Sequence, residues 1–166
     1  MFSQGHINPW WQNEHTAIEY QPATFNNRKD IIKWRSLGYS QKYFIGDTFI
    51  VNDKSPAWAT SFLTLFKGTC HGVTLLKMRT CDILPYHCDT YKFYKTKYNI
   101  VDISIINRVL IFLEDWKPGH IFEIENIPVT QWKSGDYIRW KGSCPHMAAN
   151  IGTSLRYTAQ ITFLDV

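Results

Sequence analysis

The chain has 166 residues, 45% of them apolar and 16% aromatic, enough for one sizeable core and too apolar for extended disorder. Its 18 basic and 14 acidic residues leave a net charge of only +4, so charge by itself does not call for a nucleic-acid partner. No apolar run approaches the roughly 18 residues that cross a bilayer, and no membrane partner is expected.

A single domain over 1–166 is expected, with a helical or irregular N-terminal part over 1–69 and a β-rich core over 70–166. In the first part, "NNRKDIIKWRSLG" places Ile31, Ile32, Trp34 and Leu37 near helical spacing, with an Asn cap and Gly38 as the stop. In "SPAWATSFLTLFKG", Ser55 can cap, Pro56 suits the first helical position, and Gly68 follows the last apolar residues. The four cysteines show no Cys-x-x-Cys spacing and no signal-like segment opens the chain, which predicts reduced thiols in a cytoplasmic protein.

From about residue 70 the pattern changes to short β-rich runs: "HGVTLLKMR", "PYHCD", "NRVLIFLED", "HIFEIEN", "VTQW", "DYIRWKG", "HMAANI" and "LRYTAQITFL". "WKPGH", "KSGD" and "IGTS" between them are turn chemistry. Helices followed by about eight strands predict a mainly β fold: two antiparallel sheets packed as a jelly roll, a cupin-like double-stranded β-helix, with N-terminal helices buttressing one outer face.

Within "ILPYHCDTYKFY", strand alternation points His87 and Asp89 the same way and Cys88 the other. A third metal ligand is available in His146, and Arg156 follows ten residues later in the final strand. Two histidines and one carboxylate on one face of an octahedral ion leave positions open for O2 and a chelating co-substrate, the arrangement suited to non-heme Fe(II). Such a co-substrate's far carboxylate needs a buried partner, and an Arg is always charged and binds bidentately. Arg156, Thr158 and Gln160 share one face of the last strand, while Tyr157, Ala159, Ile161 and Phe163 share the other.

With "HCD", "HMAANIGTSLR" and "RYT", residues 70 to 166 resemble the Fe(II)- and 2-oxoglutarate-dependent oxygenase superfamily. "RVLIFLEDWKPGHIFEIE", Trp-x-x-Gly-Asp at 132–136 and His-x-x-x-Asn at 146–150 look like its small phage and bacterial members and its aspartyl/asparaginyl hydroxylase-like branch. The resemblance implies Fe(II) on His87, Asp89 and His146, 2-oxoglutarate on Arg156 and Thr158, and O2 as oxidant. It implies hydroxylation of a peptidyl side chain or a small molecule, with 2-oxoglutarate converted to succinate and CO2. Demethylation, desaturation, or a non-catalytic jelly-roll binding protein are the alternatives, and oligomeric state stays open.

Arg108, Tyr86 and Asn150 are candidate contacts to co-substrate or substrate. Tyr91, Phe93 and Tyr94, in the Lys-rich "TYKFYKTKYN", are a candidate substrate lid, the other reading being an amphipathic strand pair. His71 and His120 read as loop or strand-end residues, and Cys88 and Cys144 as small packing residues. Residues 1–69 carry no recognised motif and are a candidate source of substrate specificity.

Overall fold

The computed structural model describes residues 1–25 and 27–165. In residues 1–69 it holds β1 (Phe2–His6), β2 (Gln21–Pro22), α1 (Arg28–Ser36), β3 (Asp47–Val51) and α2 (Ala57–Thr60), the last continued by a 3-10 turn at Ser61–Thr64. Then come β4 (Thr69–Met78), β5 (Ile83–His87), α3 (Lys92–Lys97), β6 (Ile106–Phe112), β7 (His120–Ile124), β8 (Ile127–Val129), β9 (Asp136–Lys141), β10 (His146–Asn150) and β11 (Arg156–Leu164).

Two antiparallel sheets result, a seven-stranded one ordered β1-β9-β6-β11-β4-β3-β2 and a four-stranded one ordered β5-β10-β7-β8. From β4 onward the chain passes back and forth between them, with β4, β6, β9 and β11 in the large sheet and β5, β7, β8 and β10 in the small one. This winding is the double-stranded β-helix. Both expected helices form, α1 beginning after an extended Asn27 and ending before Gly38 at φ 94°.

The alternation of β11 decides what each face of the large sheet does. Tyr157, Ala159, Ile161 and Phe163 pack outward, with Val73, Leu75, Val109 and Ile111, against Trp11, Ala59 and Phe62 of the N-terminal segment. The inward side meets the small sheet in a second core that includes Met78, Phe112, Phe122, Ile124 and Trp140. The N-terminal segment thus forms a third layer, and it also lengthens the large sheet through β1, β2 and β3, strands that its sequence does not announce.

Two further expectations are corrected. The segment 90–99 is no strand pair: Tyr91, at φ 49°, turns the chain out of extension and α3 follows. Tyr91, Tyr94 and Tyr98 recur at helical spacing and pack near Ile100, Ile106 and Leu164. The strand expected at "VTQW" lies earlier, because Gln131 at φ 56° belongs to the turn, and Trp132 stacks on Phe112 at 4.0 Å between ring centroids.

Phe62 is fully buried between the N-terminal layer and the large sheet. Phe62→Ala should lower the unfolding free energy by about 3–5 kcal/mol in urea denaturation; a change below about 1 kcal/mol would show that this layer contributes little to the fold.

Candidate metal centre

Antiparallel pairing of β5 with β10 sets His146 directly across from His87. Directly opposed residues have Cβ atoms about 5 Å apart, and here the imidazole centroids are separated by 4.4 Å. Strand register therefore joins two histidines that are distant in sequence. Asp89 lies beyond the end of β5, so its orientation is not a consequence of strand alternation. Its Oδ1 stands 4.0 Å from His87 Nε2 and its Oδ2 4.0 Å from His146 Nε2. One ligand atom from each residue lies within 4.8 Å of the others.

The histidine tautomers follow from their hydrogen bonds. His87 Nδ1 donates to the Pro85 carbonyl at 2.8 Å, and His146 Nδ1 donates to the Cys144 carbonyl at 2.9 Å. A carbonyl only accepts, so each Nδ1 holds a proton, and the neutral ring then presents its Nε2 lone pair toward Asp89. Burial pushes the pKa of His146 down to about 4, against the opposing pull of Asp89. Burial also works against ionising Asp89, but the Arg108 guanidinium and the two imidazoles outweigh it and hold the carboxyl below its usual range. A neutral His146 beside an ionised carboxylate matches the protonation states a divalent cation requires. Asp89 Oδ2 is buried without a hydrogen-bond donor, and a cation would satisfy it.

Aromatic rings enclose this cluster. Phe25 and Trp34 stand edge-on to His87 at 5.7 and 5.8 Å, and Trp140 lies 5.0 Å from His146. Phe25 and Trp34 come from the segment without a recognised motif, where an aromatic on a short amphipathic helix reads only as core.

Arg156 occupies the interior between the sheets. It is 3% exposed, and its Nε and Nη2 have no hydrogen-bond partner among the described residues. Its Nη1 donates to the Met78 thioether at 3.1 Å, and the guanidinium lies 5.6 Å from the Trp132 ring. Burial alone lowers its pKa to about 10. A thioether is a weak acceptor, so Met78 fills the place of a stronger one. His146, Arg156, Thr158 and Gln160 line one small cavity of about 30 Å³, room for little more than water. A dicarboxylate requires its apolar lining to yield, and Met78 is the adaptable member.

Ile45 borders the same cavity at φ 74°, a rare conformation for a β-branched residue and one that costs on the order of 1–3 kcal/mol. The adjoining Gly46 has φ 94°, and a Cβ there would approach the Lys77 carbonyl to 2.5 Å. The backbone is thus locally strained beside the site.

On the other side of His87 and Asp89 an open cleft of about 770 Å³ leads to solvent. Arg108, 8% exposed, lies in its wall with Nη2 3.5 Å from Asp89 Oδ2 and its guanidinium 5.1 Å from the Tyr91 ring centre. Tyr91, Phe93 and Tyr94 all line this cleft. Tyr91 is buried and donates to the Gly142 carbonyl, Tyr94 donates to the Thr162 carbonyl, and Phe93 is 62% exposed. A side chain at Gly72 would collide with the Tyr94 hydroxyl, so that glycine permits the close approach of α3.

Two candidates do not reach the centre. Tyr86 faces solvent and donates to Asn126 Oδ1, because alternation turns it away from His87. Asn150 is buried, but its Nδ2 donates to the Met78 and Ser154 carbonyls and its Oδ1 accepts from the Gly152 amide. It therefore staples the turn before β11. His120 is buried beside Ser154, and His71 stacks on Phe163 and bonds the Phe66 carbonyl, so neither joins the cluster. Cys144 packs in the inner core as expected, with its thiol pushed up to about 11 by burial. Cys88 is exposed at the cleft and is no packing residue.

No protein-family model and no curated protein sequence matches the chain. Among solved structures it is similar to a prolyl-4-hydroxylase of Pseudomonas putida, at 13% identity and a TM-score of 0.65 over 99% of this chain and 92% of that one. It is also similar to a non-heme alpha-ketoglutarate-dependent carbocyclase from nogalamycin biosynthesis, at 12% identity and a TM-score of 0.62 over 99% and 80%. At these identities the likeness is one of fold. Among the described residues no helix is long and apolar enough to cross a membrane.

Two outcomes follow from the burial of these groups. Folded His146 titrates near pH 4, against about 6.5 when unfolded, so the unfolded chain takes up that proton first as pH falls. The stability of the metal-free protein should be complete above about pH 6.5 and decline by up to about 3 kcal/mol toward pH 4. Urea unfolding with chelator at several pH values measures this, and His146→Gln should flatten the slope; an unchanged slope would contradict it. Arg156→Met should raise the stability of the protein without ligands by about 1–3 kcal/mol, since an unpaired buried charge is removed. A loss of stability would mean that Arg156 is satisfied within the protein.

Proposed function

We propose that the protein is an Fe(II)- and 2-oxoglutarate-dependent oxygenase that hydroxylates a peptidyl side chain or a small molecule. The observation that carries this reading is the buried guanidinium of Arg156, without an anion, on the same cavity as His146. A metal-only site needs no such charge, whereas a metal-chelating dicarboxylate does.

In this reading His87, Asp89 and His146 hold Fe(II), and Arg156 with Thr158 binds the far carboxylate of 2-oxoglutarate. Bound there, iron and 2-oxoglutarate supply the chemistry: O2 is split between a substrate C–H bond, which becomes C–OH, and the co-substrate, which becomes succinate with release of CO2. The protein's own share is positional. The Nδ1–H bonds of His87 and His146 fix the tautomers, and the charge of Arg108 keeps Asp89 ionised. Phe25, Trp34 and Trp140 shield the flanks of the two histidines. Tyr91, Phe93 and Tyr94, as one wall of the cleft, contact the substrate. The free thiols of Cys81, Cys88 and Cys144 suit a cytoplasmic setting. Hydroxylation is the outcome proposed over demethylation or desaturation, and a prolyl-4-hydroxylase is among the proteins that share the fold.

The test begins with anaerobic titration of 2-oxoglutarate into the Fe(II)-loaded protein, which should develop the visible charge-transfer band of the iron chelate, followed by succinate release on admitting O2. His87→Ala, Asp89→Ala and His146→Ala should lose iron binding. Arg156→Ala should keep iron and need about ten- to hundredfold more 2-oxoglutarate. A band without succinate release would favour a non-catalytic binding protein, and normal turnover by Asp89→Ala would overturn the ligand assignment.

A further inference from the structure

The cleft on the solvent side of the metal centre has a charge that bound metal and co-substrate would leave unbalanced. Among its described lining residues the acid is Asp89 alone, against Arg108, Lys92 and Lys97. The lysines belong to α3 and are exposed, but the side chain of Arg108 is 9% exposed and its Nε lacks a hydrogen-bond partner. Among the described residues its ion-pair contact is Asp89, at 3.5 Å.

Metal binding removes that partner's charge. When Asp89 ligates a dication, Asp89 and a dianionic co-substrate together balance the dication and one guanidinium, which is Arg156. The second guanidinium, Arg108, is then left buried without an anion, and an uncompensated buried charge is costly. The anion that balances it must enter through the cleft, since Arg108 lines the cleft and not the cavity that holds Arg156.

The neighbours of Arg108 define the rest of the ligand. Thr162 stands opposite it on β11, and Gln160 and Thr74 continue a polar strip along the same wall. Phe25, Tyr94 and the exposed Phe93 also line the cleft, and the exposed Ile50, paired with Thr74, extends the strip's own wall with an aliphatic side chain. A polar strip with a guanidinium at one end and an aliphatic side chain at the other, in a cleft also lined by aromatic rings, fits a molecule with an acidic group at one end and an apolar body.

We propose that the primary substrate carries a carboxylate on an apolar body, and that Arg108 binds this carboxylate beside the metal centre. The inference rests on the oxygenase reading above and deepens it by naming the substrate class. The carboxylate can belong to a free acid or chain terminus, or to an acidic side chain.

Calorimetric titration of the anaerobic protein loaded with Fe(II) and 2-oxoglutarate separates these cases. The probes are N-acetyl-L-leucine and N-acetyl-L-phenylalanine against their amides, and the α-amide of N-acetyl-L-glutamate against that of N-acetyl-L-glutamine. In at least one pair the acid should bind about ten- to hundredfold tighter than its uncharged partner. Preference within the first set identifies a free acid or terminus, and preference within the second an acidic side chain. Arg108→Met should bring the ratio close to one, and Arg108→Lys should retain part of it. Because a buried Arg can be needed for folding, the comparison within the unsubstituted protein stands by itself. Equal binding of acids and amides, or no saturable binding of any acid, overturns the inference. The charge-transfer band recorded on the same samples keeps the two readings apart: a band with no acid preference sinks the role of Arg108 alone, and absence of the band sinks the oxygenase reading and this inference with it.

Discussion

A guanidinium buried between two β-sheets without an anion is the constraint around which this molecule is arranged. Arg156 is surrounded by Met78, Phe112 and Trp132, with a thioether as its hydrogen-bond acceptor. Desolvating such a charge costs several kcal/mol, and among the described residues no acidic side chain offsets it. A protein selected for stability alone would put a Leu or Met there. The cost is understandable if an anion arrives from outside, and the cavity shared with His146 gives that anion a second partner.

The fold serves this arrangement through period and register. Period two in β11 sends Arg156, Thr158 and Gln160 inward while Tyr157, Ala159, Ile161 and Phe163 pack outward. Sliding the strand by one residue would bury the apolar set against the cavity and expose the charge to the N-terminal layer. Pairing of β5 with β10 brings His87 to His146, and Arg108 on β6 faces Asp89 across the interior. The N-terminal layer covers the outer face of the large sheet and also reaches the centre through Phe25 and Trp34. A segment that carries no ligand therefore shapes the surroundings of His87 and one wall of the cleft.

Much of this was legible in the sequence because it depends on local period and on a few chemically distinctive residues. Most of the eight strands from residue 69 onward, the two faces of β11 and the approach of His87 to His146 follow from alternation and spacing, whereas Asp89 is placed by the turn after β5. What escaped depends on non-local partners. β1, β2 and β3 are held by the edges of a sheet formed elsewhere, and β2 has only two residues. Tyr91, Tyr94 and Tyr98 fit helical spacing, but the interleaved lysines resemble strand alternation until Tyr91 is seen to be left-handed. Asn150 shares the face of His146 in an ideal strand, yet the turn that follows claims its amide completely. Met78 looks like any core methionine, and only the guanidinium beside it gives its position meaning.

The most direct measurement is a crystal structure grown anaerobically with Fe(II) and 2-oxoglutarate, with the metal located by its anomalous scattering. The account predicts iron bonded to His87 Nε2, Asp89 and His146 Nε2, with one carboxylate of 2-oxoglutarate on Arg156 in place of the Met78 thioether. Iron bound elsewhere, or a diacid that leaves Arg156 on Met78, would contradict it.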